Sequence, residues 1–329
     1  MSVCSENKII RVGIVGYGNL GKSLEKLILT DTRFKLVAIF SRRLISSKFG
    51  TLVENYGDFG TYEGKIDVML LAGGSKSDLE FQTPEVLKYF DCINTFDNHK
   101  KIYSELVKND EIAKASGHRL IMCCGWDPGI FSIIRAIFKA VGSNNPITFW
   151  GKGVSMGHSE AIRRVDGVLD GVSLTIPSKE AKQLAEKKGI IDASVPLHSR
   201  VCYVSVDSSK ISETEIERKI KNIPDYFKGQ PVSVNFVSAK KVLYHRKNLS
   251  HKGEIIEQFM TGNKSNNKMK FSVQMQSNSD FTASIVICYI LAIMRLKSQN
   301  KTGAFTPVDI PVSYFFYESE MENFYKSLC

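Results

Sequence analysis

The sequence predicts an α/β fold in two parts, a doubly wound parallel sheet followed by a second, α+β domain with an open mixed sheet. Three observations carry this. From residue 9 to about 125, short β-rich runs alternate with helical patterns. A glycine-rich turn, "GYGNLGKS" from Gly16 to Ser23, joins the first of those runs to the first helical pattern. After Trp126 the strands lengthen and polar loops separate them. Alternating β and α elements pack as a parallel sheet with helices on both faces, whereas grouped strands make a mixed or antiparallel one.

In chain order, the first-half strands are "IIRVGIV", "FKLVAIF", "DVMLLA", "CINTF" and "RLIMCC". Thr83, Pro84 and Glu85 read as N-cap, first-turn proline and first-turn acid of a helix. Gly117 closes another helix that runs from about Lys100. The second half supplies "ITFWGKG", "GVSLTIP", "RVCYVSVD", "PVSVNFV", "EIIEQFM" and "KFSVQMQ", with helices at 178–188 and 212–222. The turn-rich "TGNKSNNK" makes the last two strands a hairpin. The division expected is 1–126, joined by part of the C-terminal segment (about 280–329), and 127–279.

Composition excludes several classes. With 43% hydrophobic and 24% charged residues the chain reads as an ordinary soluble protein. Its net charge of +10 is scattered, without the basic block or aromatic-interleaved stripe of a nucleic-acid binder. The longest apolar run, Ala283 to Met294, falls short of the roughly 20 residues a membrane span needs, and reads as a buried helix. Seven cysteines show no C-x-x-C or Cys/His spacing, so reduced structural thiols and no metal are expected. The N-terminus has no basic-then-apolar pattern, which leads to a cytoplasmic expectation.

"GYGNLGKS" fits both G-x-G-x-x-G and G-x-x-x-x-G-K-S. The triphosphate reading needs a second apolar strand ending in Asp, but "DVMLLAGG" ends in Ala72 and Gly73. The dinucleotide reading needs a ribose-contacting residue at the end of the second strand, where "FSRR" places Ser41, Arg42 and Arg43. Two guanidiniums and a hydroxyl suit a dianionic 2′-phosphate, so NADP is expected rather than NAD. Gly16 would permit the tight turn, Gly18 the approach of pyrophosphate and Gly21 the packing of helix on strand in this Rossmann-type domain. Lys22 and Ser23 become ordinary first-turn helix residues.

The substrate of such a domain sits at the carboxyl ends of the strands. There "NTFDNH" and "CCGWDPG" place Asp97 and Asp127 at neighbouring strand ends, with Trp126 beside one of them. Two converging carboxylates repel unless a cation lies between them, and a protonated amine is the natural guest. Asp127 is also expected to cap "IFSIIRAIFKAV", with Pro128 at its first position. For Asp97 the alternative to a ligand role is an Asx turn.

The stretches "RVGIVGYGNLGKSLEKLI", "FSRR", "TFDNH", "GWDPGIFS", "FWGKGVSMGHSEAIRR", "PDYFKG", "VNF" and "DFTAS" together resemble the meso-diaminopimelate dehydrogenase family. The resemblance runs from about residue 11 to about 306. It implies reversible NADP-dependent oxidative deamination at the D-configured carbon of meso-2,6-diaminopimelate, yielding ammonia and NADPH. Cofactor contacts would fall at Tyr17, Gly18, Asn19 and Leu20, at Ser41 to Arg43, and at Ala72, Gly73, Gly74 and Ser75. Thr95, Phe96 and Asp97 would follow, then Cys124, Gly125, Trp126, Asp127 and Pro128. Asp97 and Asp127 would also orient the reacting ammonium and manage its protons, while Trp150 and the backbone of Met156 and Gly157 shape the pocket. Thr175, Arg200, His251 and Asn278 would hold the distal L-configured end. A homodimer built through the second domain is also implied.

Two departures stand out. Met156 replaces a glutamine usual in the family, and Asn94 an aspartate, which bears on rate and selectivity. Competing readings are an NADP-binding regulator without turnover, a triphosphate hydrolase using Lys22 and Ser23, and a lysine-pathway reductase acting on a cyclic imine.

Overall fold

A computed structural model describes residues 9–328 except 143, 208, 210, 248 and 249, with the backbone alone for Lys76. Contacts between residues divide the chain into two compact units, 1–133 with 279–329, and 134–278.

The first unit begins β1 (Ile10–Val15), α1 (Asn19–Thr30), β2 (Phe34–Ser41), β3 (Val53–Asn55) and β4 (Val68–Leu71). It continues with α2 (Glu80–Val86), β5 (Asp91–Asn94), α3 (Ile102–Ser116), β6 (Arg119–Ile121) and the start of α4 (Ile130–Val141). The second unit holds β7 (Ile147–Trp150), β8 (Gly153–Ser155), α5 (Met156–Arg163), β9 (Val168–Pro177), α6 (Lys179–Lys188), β10 (His198–Val206) and α7 (Glu213–Lys221). It ends with β11 (Val232–Phe236), α8 (Ala239–Lys247), β12 (His251–Thr261) and β13 (Ser265–Met275). The chain then returns to the first unit through α9 (Asn278–Ser298), β14 (Gly303–Phe305) and α10 (Glu318–Ser327).

The seven strands of the first unit form one parallel sheet in the order β14-β6-β5-β4-β1-β2-β3. Alternate residues of each strand enter opposite cores: Ile14, Leu70 and Ile93 pack under α1 and α9, while Val15, Leu71 and Cys92 pack under α2 and α3. The apolar run of α9 is therefore core, as the sequence predicts. Connections reverse direction between β1 and β4, so the loops that follow them open a crevice at the carboxyl edge, where ligands of such sheets bind.

One helix departs from expectation. Thr83 is not an N-cap, because a π-turn at Ser75–Leu79 leads into α2 and Pro84 lies inside that helix. Proline removes the donor that would meet the Glu80 carbonyl, and Lys108 Nζ meets that carbonyl instead at 3.2 Å. Gly117 closes α3 in the left-handed region, as predicted.

In the second unit the order β11-β10-β9-β8 forms a mixed sheet, with β10 and β11 parallel and the other pairs antiparallel. An unforeseen antiparallel sheet, β13-β12-β7, contains the predicted hairpin. Ser178 and Ser212 cap α6 and α7 by accepting from the Ala181 and Glu215 amides. Cys92, Cys123, Cys124 and Cys202 are buried free thiols. Cys4 and Cys329 lie outside the described residues.

Candidate active site

The glycine turn has the mechanics its spacing suggests. Gly16 adopts φ +95°, and its N–H donates to Phe40 O at 2.9 Å. A Cβ at Gly21 would lie 2.2 Å from the Gly16 carbonyl oxygen, so only glycine lets α1 rest on the turn. A Cβ at Gly18 would meet no protein atom within 4 Å, which leaves open space at the N-terminus of α1, where a phosphate could approach the backbone N–H groups. Ser23 is engaged with Asp280 at 2.6 Å, and Lys22 lies over the Tyr17 ring, 5.6 Å from its centroid. Both sit in the first turns of α1.

At the end of β2 the "FSRR" residues divide their labour. Ser41 is buried and its hydroxyl closes a turn with the Arg43 backbone. Arg42 pairs with Asp78, from the turn after β4. Only Arg43 lines the cavity of about 290 Å³ beside the glycine turn, together with Tyr17, Lys22, Ile45, Ser46 and Lys48. The cations that line the cavity are Arg43, Lys22 and Lys48. Three cations and two hydroxyl-bearing side chains fit a phosphate monoester.

The loops after β4, β5 and β6 interlock. Asp97 N–H donates to Ser75 Oγ at 2.9 Å, joining two of the predicted cofactor loops. The Asp97 carboxylate is exposed and accepts no hydrogen bond among the described residues, so it forms no Asx turn. Its negative field reaches Cys123, whose thiol is pushed up to about 12 by burial and, secondarily, by that charge.

Asn94 is buried beneath these loops. Its Oδ1 accepts from the N–H groups of Phe96 at 3.1 Å and Cys123 at 3.3 Å, and its amide donates to Thr83 Oγ1. A neutral amide satisfies this pocket without a buried charge, which is why the departure from aspartate is structurally quiet here. Asn94→Ala is expected to strand the two N–H groups and cost roughly 1–3 kcal/mol, read as a lower urea midpoint at unchanged slope.

α4 begins at Ile130, so Pro128 is not its first residue as the sequence suggests. The segment Gly125–Gly129 instead folds back on itself through Gly125 N–H to Pro128 O at 3.1 Å and Ile130 N–H to Gly125 O at 3.2 Å. Asp127 sits half-buried at the tip of that loop, between Trp126 and the buried Pro128. Trp126 is braced edge-on against Phe131, with centroids 5.2 Å apart.

Within the second unit, Thr175 and Arg200 are register partners on β9 and β10, and Arg200 Nη1 bonds Thr175 Oγ1. Arg200 Nε donates to Gln230 at 2.9 Å. The guanidinium is largely buried, which draws its pKa down to about 10 and leaves it charged at neutral pH. Both partners are uncharged, so the cation lacks a counter-ion among the described residues.

His251 opens β12 and donates from Nε2 to the Val154 carbonyl at 2.7 Å, leaving Nδ1 buried and unpartnered. The opposite register position is Met275, so β13 ends beside His251 and Asn278 follows three residues later. Met156 begins α5 with its side chain 52% exposed, and a Cβ at Gly157 would come 3.3 Å from the Tyr226 ring.

Trp150 donates its backbone N–H to His198 Nε2 at 2.7 Å and stacks on that ring at 5.1 Å. His198 is therefore neutral at Nε2, and burial plus the Arg200 charge lower its pKa to about 4. Its folded pKa lies below the ordinary 6.5, so the unfolded chain binds the proton more readily. Stability is accordingly expected to fall as pH drops below about 6.5, continuing until the folded pKa is passed. Urea melts across that range check the sign.

Residues 125–277 match the family model "Diaminopimelic acid dehydrogenase C-terminal domain". A meso-diaminopimelate D-dehydrogenase from Acetivibrio thermocellus is 39% identical over 321 residues, covering 95% of this chain and 96% of that one. The chain belongs to the meso-diaminopimelate D-dehydrogenase family.

Among solved structures, the Corynebacterium glutamicum DAP dehydrogenase in complex with DAP superposes with TM-score 0.89 at 36% identity, covering 95% of this chain and 97% of that one. An engineered D-amino acid dehydrogenase bound to NADP+ gives TM-score 0.87 at 35% identity, covering 96% and 99%. Lys48, His198 and Gln230 are residues the sequence reading did not single out, and Lys22 it weighed only for the triphosphate loop. Their positions become visible only when strand register and loop folding bring them beside Arg43, Trp150 and Arg200.

Proposed function

We propose that this chain is an NADP-dependent amino acid dehydrogenase that reversibly deaminates the D-centre of meso-2,6-diaminopimelate. The product is L-2-amino-6-oxopimelate, which cyclises to tetrahydrodipicolinate, with release of ammonia, in lysine biosynthesis. The observation that carries the substrate class is Arg200, a half-buried cation whose partners, Thr175 and Gln230, are both neutral. A carboxylate is the ligand that completes it.

NADP, when bound, supplies the hydride acceptor. The glycine turn offers backbone N–H groups to its pyrophosphate, and the cavity beside Arg43 takes the 2′-phosphate. The loops at Ala72–Ser75, Thr95–Asp97 and Cys124–Pro128 complete its bed. Asp97 and Asp127 bind the D-centre ammonium and take a proton from it as hydride leaves the α-carbon, after which water adds to the resulting imine and ammonia departs as the C–N bond breaks. Trp150, pinned by His198, and the backbone at Met156 and Gly157 orient the substrate chain. Thr175 and Arg200 pair the distal carboxylate, while His251 and Asn278 read the distal ammonium and carboxylate pattern. The proposal includes a cytoplasmic homodimer assembled through the second unit, which light scattering on the purified protein checks.

The direct test follows NADPH formation with NADP and the meso, LL and DD isomers in parallel. Turnover of the meso isomer, with NADP preferred to NAD, is the expected result. Silence with the meso isomer would leave the cyclic-imine reductase as the better reading.

A further inference from the structure

The cavity beside the glycine turn is organised by a carboxylate that the reaction does not use. Glu25 on α1 is 0% exposed. Its two oxygens accept from Tyr17 OH at 2.5 Å and from Ser47 Oγ. Ser47 Oγ in turn accepts from the N–H groups of Phe49 at 2.9 Å and Thr51 at 3.1 Å, while Tyr17 OH accepts from Lys48 N–H at 3.1 Å. The segment 44–51 is thereby wound about one buried acid, and the residue whose backbone it grips, Lys48, lines the cavity with Lys22 and Arg43.

A buried carboxylate is costly unless its oxygens are bonded, and here one is bonded to Tyr17 in the cavity wall and the other to Ser47 in the loop that carries Lys48. Both oxygens are thus occupied by hydroxyls. Arg42, the other strand-end guanidinium, is already matched by Asp78. Neutralising a dianionic phosphate monoester therefore falls to Arg43, Lys22 and Lys48. NAD lacks that group, so these cations give it no added binding.

Resting on the NADP reading above, we propose that Lys48 and Lys22 bind the cofactor's 2′-phosphate, and that Glu25 is a positioning residue that sets cofactor choice by holding the Lys48 loop through Tyr17 and Ser47.

The experiment is calorimetric titration of the full-length protein with 2′,5′-ADP and, separately, 5′-AMP, which differ only in the 2′-phosphate. The wild type should bind 2′,5′-ADP more tightly. Lys48→Met is expected to weaken 2′,5′-ADP by roughly tenfold while barely moving 5′-AMP. Glu25→Gln should reproduce that selective loss, and Ser47→Ala provides the same test at a half-buried site should the Glu25 variant unfold. Loss shared equally by the two ligands places Lys48 on the common nucleotide and overturns the proposal, as does a Lys48 variant with unchanged selectivity. A wild type that does not distinguish the two ligands contradicts the NADP reading itself, and with it this one.

Discussion

Arg200→Met is expected to lower kcat/KM for meso-2,6-diaminopimelate by roughly a hundred- to a thousandfold, mostly through KM, because the substrate's distal carboxylate loses its half-buried partner. The same substitution should leave thermal stability unchanged or raised. Arg200 sits among Thr175 and Gln230 with no acid among the described residues to repay its desolvation, and a thioether of similar length carries no such penalty. Opposite signs for catalysis and stability mark a ligand-binding cation. A structural arginine would lose both together. Steady-state kinetics and a thermal melt on one preparation separate the two cases.

Gly21→Ala is the second large effect. Its Cβ would fall 2.2 Å from the Gly16 carbonyl oxygen, a contact that backbone must relieve by moving. The cost in stability is expected at about 1–3 kcal/mol or more. NADP affinity should fall at least roughly tenfold, since the turn that presents its N–H groups is displaced. Gly18→Ala supplies the contrast. Gly18 has φ −81°, which alanine adopts freely, and its added methyl meets no protein atom. That variant should keep its stability and still lose NADP, as fluorescence titration and a thermal melt would read.

Much of the first unit was legible because both of its determinants are local. Strand periodicity and the spacing of Gly16, Gly18 and Gly21 are written within short windows, and they specify the parallel sheet and its phosphate turn. The helix at α2 was misread because Thr-Pro-Glu imitates a start signal, while the π-turn at Ser75–Leu79 leaves no such mark. The start of α4 was misplaced for a related reason: "DPG" favours a helix opening at Pro128, but the loop closes through Gly125 and Pro128 and the helix begins at Ile130.

Side-chain partnership was the least legible layer. The pairing of Arg42 with Asp78 spans 36 residues, and no local pattern announces it. Lys48 likewise carries no mark in the sequence, because its place depends on the bonds that tie its segment to Tyr17 and Glu25. In the second unit, Thr175 and Arg200 could be chosen only through the family resemblance. Their cross-strand register then gave that choice a physical basis. His198 escaped notice because a histidine's role as acceptor for Trp150 depends on two strands in different sheets.

The measurement that bears most directly on the central claim is the fate of the hydrogen on the reacting carbon. Meso-2,6-diaminopimelate deuterated at the D α-carbon should yield deuterated NADPH, detectable by mass spectrometry, and the isomer deuterated at the L α-carbon should yield unlabelled NADPH. Label arriving from the L-centre, or from neither, would contradict the assignment of this chain as a D-centre dehydrogenase.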